Sequence, residues 1–120
     1  MTPKRVVHKP FQVEGGRAAA AQLLDNESPP DAFFVANEAL ALGVLDELRS
    51  RGLRQGTDVG LICFDDEPWA RVTDPPIPVV AQPAYEMGVA AADLLVKRIK
   101  GTLRGPVQRI VFDTDLITRT

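Results

Sequence analysis

The sequence contains few of the residues that catalytic and metal sites need. Its 120 residues include one cysteine, one histidine and one tryptophan. The single cysteine, Cys63, excludes a disulfide within one chain, and together with a single histidine it leaves no zinc ligand set. His8 lies in an early segment with no nucleophile near it in sequence, so a Ser-His-Asp or Cys-His arrangement is not indicated. We therefore expect no enzyme, no metal site, no catalytic residues and no cofactor.

Long apolar runs and an excess of basic charge are also missing. No apolar stretch approaches the ~18 residues of a membrane span, and no apolar segment follows the basic N-terminus as it would in a secretory signal. The net charge is −2, with 14 basic and 16 acidic residues. Binding of nucleic acid by this chain alone would need a basic face. We expect a cytoplasmic protein that contacts neither a membrane nor, by itself, DNA.

The first half of the chain alternates strand and helix patterns. Strands are predicted at residues 5–8, 32–36 and 58–63. A helix over 17–24 is indicated by alanine and leucine content, and one over 38–51 by apolar residues at helical spacing. The alternation predicts an α/β fold with a parallel sheet and right-handed crossovers.

The second half does not continue this regular alternation of strands and helices, and it is a candidate second structural unit. A long loop at 66–76 precedes a short extended run at 78–82, a helix at 85–100 and two closing strands at 108–112 and 116–118. One side of the helix carries an apolar stripe, which consists of Gly88, Ala91, Ala92, Leu95 and Ile99. We expect this stripe to fold back on the chain's own sheet or to pack against a second copy.

Polar residues follow two neighbouring strands of the predicted sheet. Asn37 comes after strand 32–36, and Asp65 and Asp66 come after strand 58–63. The carboxyl ends of parallel strands share one edge, so an amide and a carboxylate meet there, which suits a neutral polyol. Adjacent residues of an extended chain point to opposite sides, so one aspartate would face a ligand while the other is structural; alternatively, both are solvated loop acids. Asn37 is equally suited to cap the following helix.

Trp69, the only tryptophan, lies in the long loop. Its ring could stack on a sugar face, or it could pack against the loop or a partner chain.

Several segments match, in order, the sequence pattern of one protein family. Residues 30–43 (PDAFFVANEALALG) are similar to the family pattern P-x-A-(apolar)₃-A-N-D-x-x-A-x-G, and residues 64–66 (FDD) to G-[FY]-D-[DN]. Residues 51–54 with 58–59 resemble the family's R-G-L turn, and residues 74–77 with 82–83 resemble its P-P-L-T-T-V-x-Q-P segment. In these segments the chain resembles the LacI/GalR family of transcriptional regulators, and the likeness runs from about Phe11 to Thr120.

The resemblance implies a periplasmic-binding-protein-like (type I) fold fragment with a three-layer parallel sheet. It divides the chain into part of the C-terminal effector-binding subdomain (1–77), part of the N-terminal subdomain (78–112) and a returning C-terminal strand (113–120). Such a chain resembles the last third of a regulator and lacks the helix-turn-helix headpiece, so operator DNA would be bound only through that headpiece.

The resemblance also implies roles for individual residues. Asn37, Asp65 and Gln82 would bind effector hydroxyls, and Trp69 and Glu38 would lie at the cleft or hinge. Leu42, Val72 and Thr73 would lie in a homodimer interface. The sequence departs from the family pattern in carrying Glu38 for aspartate, Pro78 and Val79 for threonines, and Ala81 for a basic residue.

Three functional hypotheses follow. The leading one is an effector-binding and dimerisation fragment of a LacI-type regulator that senses a sugar-like or nucleoside-like ligand. The alternative is the sugar-binding protein of a transport system, which shares the fold. A phosphoacceptor receiver domain would suit the chain length, but its acidic pair should follow the first strand, which here ends in His8 and Lys9.

Overall fold

The computed structural model describes residues 5–119, which form four helices and four strands. The helices are α1 (Val13–Leu24), α2 (Glu38–Ser50), α3 (Pro68–Val72) and α4 (Ala84–Ile99). The strands are β1 (Ala32–Val35), β2 (Gly60–Phe64), β3 (Val79–Ala81) and β4 (Asp115–Ile117).

The strands form one sheet in the order β1-β2-β3-β4. β1 and β2 are parallel, with Val35 opposite Cys63, and β2 and β3 are parallel, with Cys63 opposite Val79. β4 runs antiparallel to β3. The sheet is therefore mixed: the predicted parallel sheet holds for its first three strands, and the returning chain adds the antiparallel edge.

The core lies on one face of this sheet. Alternate residues of the first two strands, Phe33, Val35, Leu61 and Cys63, are buried with residues of α1 and α2. Phe34 points to the opposite face and is 64% exposed. The described residues thus supply a sheet and one helical layer, and the second helical layer of a three-layer fold is not formed within residues 5–119.

Two glycines let α1 and α2 cross at very short distance. A Cβ added to Gly16 would lie 2.1 Å from the carbonyl oxygen of Leu40, and one added to Gly43 would lie 1.9 Å from that of Val13. Both glycines are buried. The backbones are therefore in contact, and any side chain at either position would separate the helices.

The first helical prediction needs correction, because α1 begins at Val13, four residues before the predicted start, and includes the glycine pair. The predicted strand at 5–8 is also wrong. This segment forms no ladder with β1. Together with α1 and β1 it lines a cavity of about 530 Å³. Its apolar run is only two residues long, and Pro10 ends it without a donor N–H.

In the second half, the predicted loop contains the short helix α3, which begins with Pro68. The predicted strand at 108–112 is wrong: the segment has no ladder partner, and Val111 is 75% exposed. The closing strand falls at 115–117 instead of 116–118.

Helix α4 does not fold back on the sheet, contrary to one of the two predicted arrangements. None of residues 84–99 is buried, and Leu95 and Ile99 of the apolar stripe are 60% and 75% exposed. The radius of gyration is 18.0 Å, whereas a compact chain of this length would give about 14 Å. No helix within residues 5–119 is long and apolar enough to cross a membrane.

Candidate functional site

Three polar side chains lie where three adjacent parallel strands end. Asn37 follows β1, Asp65 follows β2 and Gln82 follows β3. Because Val35 pairs with Cys63, Asn37 and Asp65 stand two residues beyond the same rung of the sheet. We call these three residues the polar rim. Its position at the carboxyl ends of parallel strands is where open α/β sheets bind ligands.

Asp65 and Gln82 are in direct contact. The Gln82 amide Nε2 donates to Oδ1 of Asp65 at 2.5 Å, and the backbone N–H of Asp65 donates to the carbonyl of Val80 at 2.9 Å. The strand ends of β2 and β3 are therefore joined through both main chain and side chain. The contact leaves Oδ2 of Asp65 and Oε1 of Gln82 as acceptors for a ligand.

Asp65 has an unusual backbone conformation. Its φ is +77°, and within residues 5–119 it is the one non-glycine residue with positive φ. Aspartate tolerates this left-handed region better than most residues, but the conformation still carries strain. Strained residues of this kind cluster at ligand sites, where the surrounding structure holds them in place.

Asn37 caps α2. Its Oδ1 accepts the N–H of Leu40 at 3.0 Å while its own backbone is extended. The helix-capping role, one of the two roles predicted for Asn37 from the sequence, is thus present. Since Oδ1 is engaged, the amide Nδ2 is the group that remains for a ligand, and Asn37 contributes a donor to the rim.

Asp66 has a different environment from Asp65. Arg71 donates to its Oδ2 at 2.6 Å, and Arg119 donates to its Oδ1. The Arg71 hydrogen bond, and after it that of Arg119, holds the pKa of Asp66 below its usual range. The two carboxylates therefore do not form an acid–base pair, and Asp66 has the structural environment expected from the sequence.

Cys63 lies beneath the rim and is 1% exposed. Its Sγ donates to the carbonyl of Phe64 at 3.2 Å. Burial, reinforced by the carboxylates of Asp65, Glu38 and Glu67, raises the pKa of the thiol to about 11. The thiol form is therefore favoured at neutral pH, which is the environment of a structural core cysteine and not of an activated thiolate. No group of metal-binding side chains occurs among residues 5–119.

The remaining predicted site residues lie elsewhere. Glu38 is the first residue of α2 and is half-buried near Cys63. Trp69 lies in α3 and packs against the core, with its indole Nε1 buried and without a partner among the described residues. Of the predicted interface residues, Leu42 and Val72 are 38% and 83% exposed, and the Thr73 hydroxyl donates to the carbonyl of Ala70.

Sequence reasoning missed the partners of the two aspartates. The Gln82 contact with Asp65 spans 17 residues and the Arg119 contact with Asp66 spans 53. No local spacing signals contacts of this range. The one available indication was the family likeness, which places Gln82 at the effector site.

Residues 2–120 match the periplasmic binding protein-like domain family. The chain belongs to this family. Among its relatives, the HTH-type transcriptional repressor CytR of Escherichia coli K12 is 36% identical over 117 residues, which are 98% of this chain and 34% of CytR. The HTH-type transcriptional regulator CelR of Thermobifida fusca is 39% identical over 109 residues, which are 91% of this chain and 32% of CelR.

A solved structure supports the same assignment. The transcriptional regulator CelR in complex with cellobiose superposes with a TM-score of 0.86 and 37% identity, covering 99% of this chain and 36% of CelR. The periplasmic binding protein-like fold and the likeness to LacI-family regulators predicted from the sequence are confirmed. This periplasmic binding protein-like chain spans about a third of the length of the curated relatives it matches. Those relatives are transcriptional regulators and not enzymes.

Proposed function

We propose that this chain is the effector-binding part of a LacI-type transcriptional regulator. The observation that carries the proposal is the polar rim, in which the strained Asp65 is held against Gln82 one strand away from Asn37. The rim offers an amide donor, a carboxylate acceptor and an amide acceptor along one sheet edge. A neutral polyol presents hydroxyl groups that both donate and accept, so it matches this set.

The ligand class is supported by the names of relatives. One similar structure is a regulator bound to cellobiose, and one curated relative, from Haemophilus influenzae, is a ribose operon repressor. We propose a sugar-like or nucleoside-like effector. The relatives matched are regulators, so the transport alternative is not favoured.

We further propose that the regulator is a homodimer and binds operator DNA through a helix-turn-helix element outside this chain. Leu42, Val72 and Thr73 are the proposed dimer contacts, and the exposure of Leu42 and Val72 leaves them free for this role. Effector binding would close the cleft and thereby change operator affinity.

The predicted division into 1–77, 78–112 and 113–120 remains a proposal. β3 pairs with β2, and β4 returns to pair with β3. This pairing favours a departure from the first subdomain after Ala81, four residues beyond the predicted boundary at 77, with α4 and the segment after it serving the second subdomain.

Replacing Asp65 by alanine in the regulator that carries this chain should weaken effector binding. Each hydrogen bond to the carboxylate contributes about 1.5–3 kcal/mol, so the dissociation constant should rise by about tenfold or more. Calorimetric titration with saccharides and nucleosides measures this. Asp113→Ala, an exposed carboxylate before β4, is the matched control and should bind normally. Equal affinity in the Asp65 variant would remove the residue from the site.

The chain alone should bind the same effector weakly, since part of the cleft is contributed by residues outside it. Calorimetry on the 120-residue chain checks this expectation. A micromolar or tighter dissociation constant would show that these residues already form the whole site.

A further inference from the structure

The guanidinium of Arg119 joins the two segments that lead to the polar rim. Its Nη1 donates to the carbonyl oxygen of Ile77 at 2.7 Å, and its Nη2 donates to Oδ1 of Asp66. The Arg119 and Asp66 side chains are 13% and 16% exposed. Because both are largely removed from water, this contact differs from a surface ion pair, which contributes little.

The contact of Arg119 Nη2 with Asp66 fixes the chain at the end of β2. Asp66 directly follows Asp65, whose positive φ turns the chain sharply after the strand. A residue in that conformation persists only when its neighbours fix it. Asp66 provides such an anchor, because Arg119, itself largely buried, holds Oδ1 of its carboxylate, while the exposed Arg71 meets the other oxygen.

The contact of Arg119 Nη1 with Ile77 fixes the segment that leads into β3. Ile77 is fully buried, and its N–H donates to the carbonyl of Ala70 at 2.9 Å. Its carbonyl therefore presents a fixed acceptor two residues before β3, which ends at the residue before Gln82. One rigid planar group thus spans from the chain after β2 to the chain before β3.

We propose that Arg119 is a positioning residue for the effector site. By fixing Asp66 and Ile77 together, it sets the distance at which Asp65 meets Gln82 and holds Asp65 in its left-handed conformation. Among the described hydrogen bonds, Arg119 itself makes none to the three residues of the rim. The inference rests on the proposed function for its significance, although the geometry it predicts can be measured without any effector.

The test is NMR spectroscopy of the isotope-labelled chain carrying Arg119→Gln. A positive φ brings the amide and α protons of a residue close together, so wild-type Asp65 should show a strong intraresidue cross-peak. The Gln82 side-chain amide should show cross-peaks to the β protons of Asp65. We expect the variant to retain its overall spectrum and to lose both signals.

Arg71→Gln is the matched control. Arg71 also donates to Asp66, but its side chain is 62% exposed and it makes no contact with Ile77 among the described hydrogen bonds. The control should keep both signals. A folded Arg119→Gln protein with both signals intact would overturn the proposal, and so would an equal loss in the Arg71 variant.

A second variant covers the case in which Arg119→Gln fails to fold. Asp66→Asn keeps the size of the side chain and removes the charge that Arg119 binds, so both signals should weaken. Their persistence in a folded Asp66→Asn protein would contradict the positioning role. Failure of the wild-type regulator to bind any saccharide or nucleoside would count against the proposed function alone, since the NMR signals do not depend on a ligand.

Discussion

At the scale of single residues, Glu47 is the polar group most deeply placed between the first two helices. Its side chain is 11% exposed and receives Nε of Arg51 at 2.8 Å and Nε of Arg17, from α1, at 3.2 Å. The Arg51 hydrogen bond is the largest cause that keeps the pKa of Glu47 below its usual value, and it outweighs the opposing effect of burial. The ionised form is therefore the one that the fold stabilises.

This depressed pKa predicts loss of stability in acid. Because the unfolded chain binds the proton more readily, the contribution is complete above the unfolded pKa of about 4.3. It disappears as the pH falls through the lower folded value. The pKa values of Asp25 and Asp66 are also lowered, chiefly by arginine side-chain hydrogen bonds, and that of Asp58 is lowered chiefly by the backbone N–H of Arg54. Urea unfolding midpoints should thus fall steadily below about pH 5.

Glu47→Gln should flatten part of that decline while lowering stability at pH 7. Asp46→Asn is its control, since Asp46 binds the same Arg17 but is 53% exposed. The control should follow the wild-type curve closely. A wild-type midpoint that is constant from pH 7 to pH 3 would show that these ion pairs do not contribute.

At the scale of elements, the crossing of α1 and α2 brings two helix backbones into contact. Gly43→Ala would place a methyl group 1.9 Å from the carbonyl oxygen of Val13 and 2.6 Å from the backbone nitrogen of Arg17. Backbone atoms cannot yield as a side chain can. We expect overpacking to cost about 1–3 kcal/mol, which exceeds the ~1 kcal/mol that alanine gains in helix propensity.

Gly88→Ala makes the same chemical change inside α4, where an added Cβ meets nothing within 4 Å. It should leave the free energy of unfolding unchanged or raise it by up to about 1 kcal/mol. Urea denaturation of both variants separates the packing effect from propensity. Equal effects at the two positions would contradict the close crossing.

The sequence predicted correctly the elements that can be identified from their own residues and the residues at their ends. Helix α2 combines periodic apolar residues with Asn37 at its start and Gly52, at φ +70°, after its end, and its predicted bounds differ by one residue. The segment 5–8 and the segment 108–112 carry apolar residues too, but a strand also needs a neighbour to pair with. That requirement is a property of the assembled sheet and is not contained in either segment.

The candidate site was predictable to a similar degree. The end of each strand located Asn37 and Asp65, and the family likeness added Gln82. The strained backbone of Asp65 and the Arg119 contact with Asp66 depend on residues up to 53 positions away. Pairings over such distances follow from the fold and not from spacing.

At the scale of the whole molecule, α4 and the segment after it leave apolar surface uncovered. The chain extends 57 Å along its longest axis against 24 Å along its shortest. Exposed apolar patches of this kind usually mark a surface that another polypeptide covers. Since α4 does not return to the sheet, packing against a second copy is the remaining arrangement of the two predicted from the sequence.

The isolated chain should therefore self-associate through the apolar stripe of α4. Leu95→Lys places a charge within the stripe and should shift the sedimentation profile towards monomer. Asp93→Lys, on the same helix and outside the stripe, is the control and should behave as wild type. A wild-type chain that stays monomeric at high concentration would contradict this arrangement.

The polar rim is the central feature of the account, and chemical-shift mapping tests it most directly. The ¹⁵N-labelled chain is titrated with mono- and disaccharides and with nucleosides at high concentration. We predict saturable, fast-exchange shifts at Asn37, Asp65 and Gln82, and their loss in Asp65→Ala. A ligand whose shifts map instead to the cavity between α1 and β1, with the rim unchanged, would contradict the account.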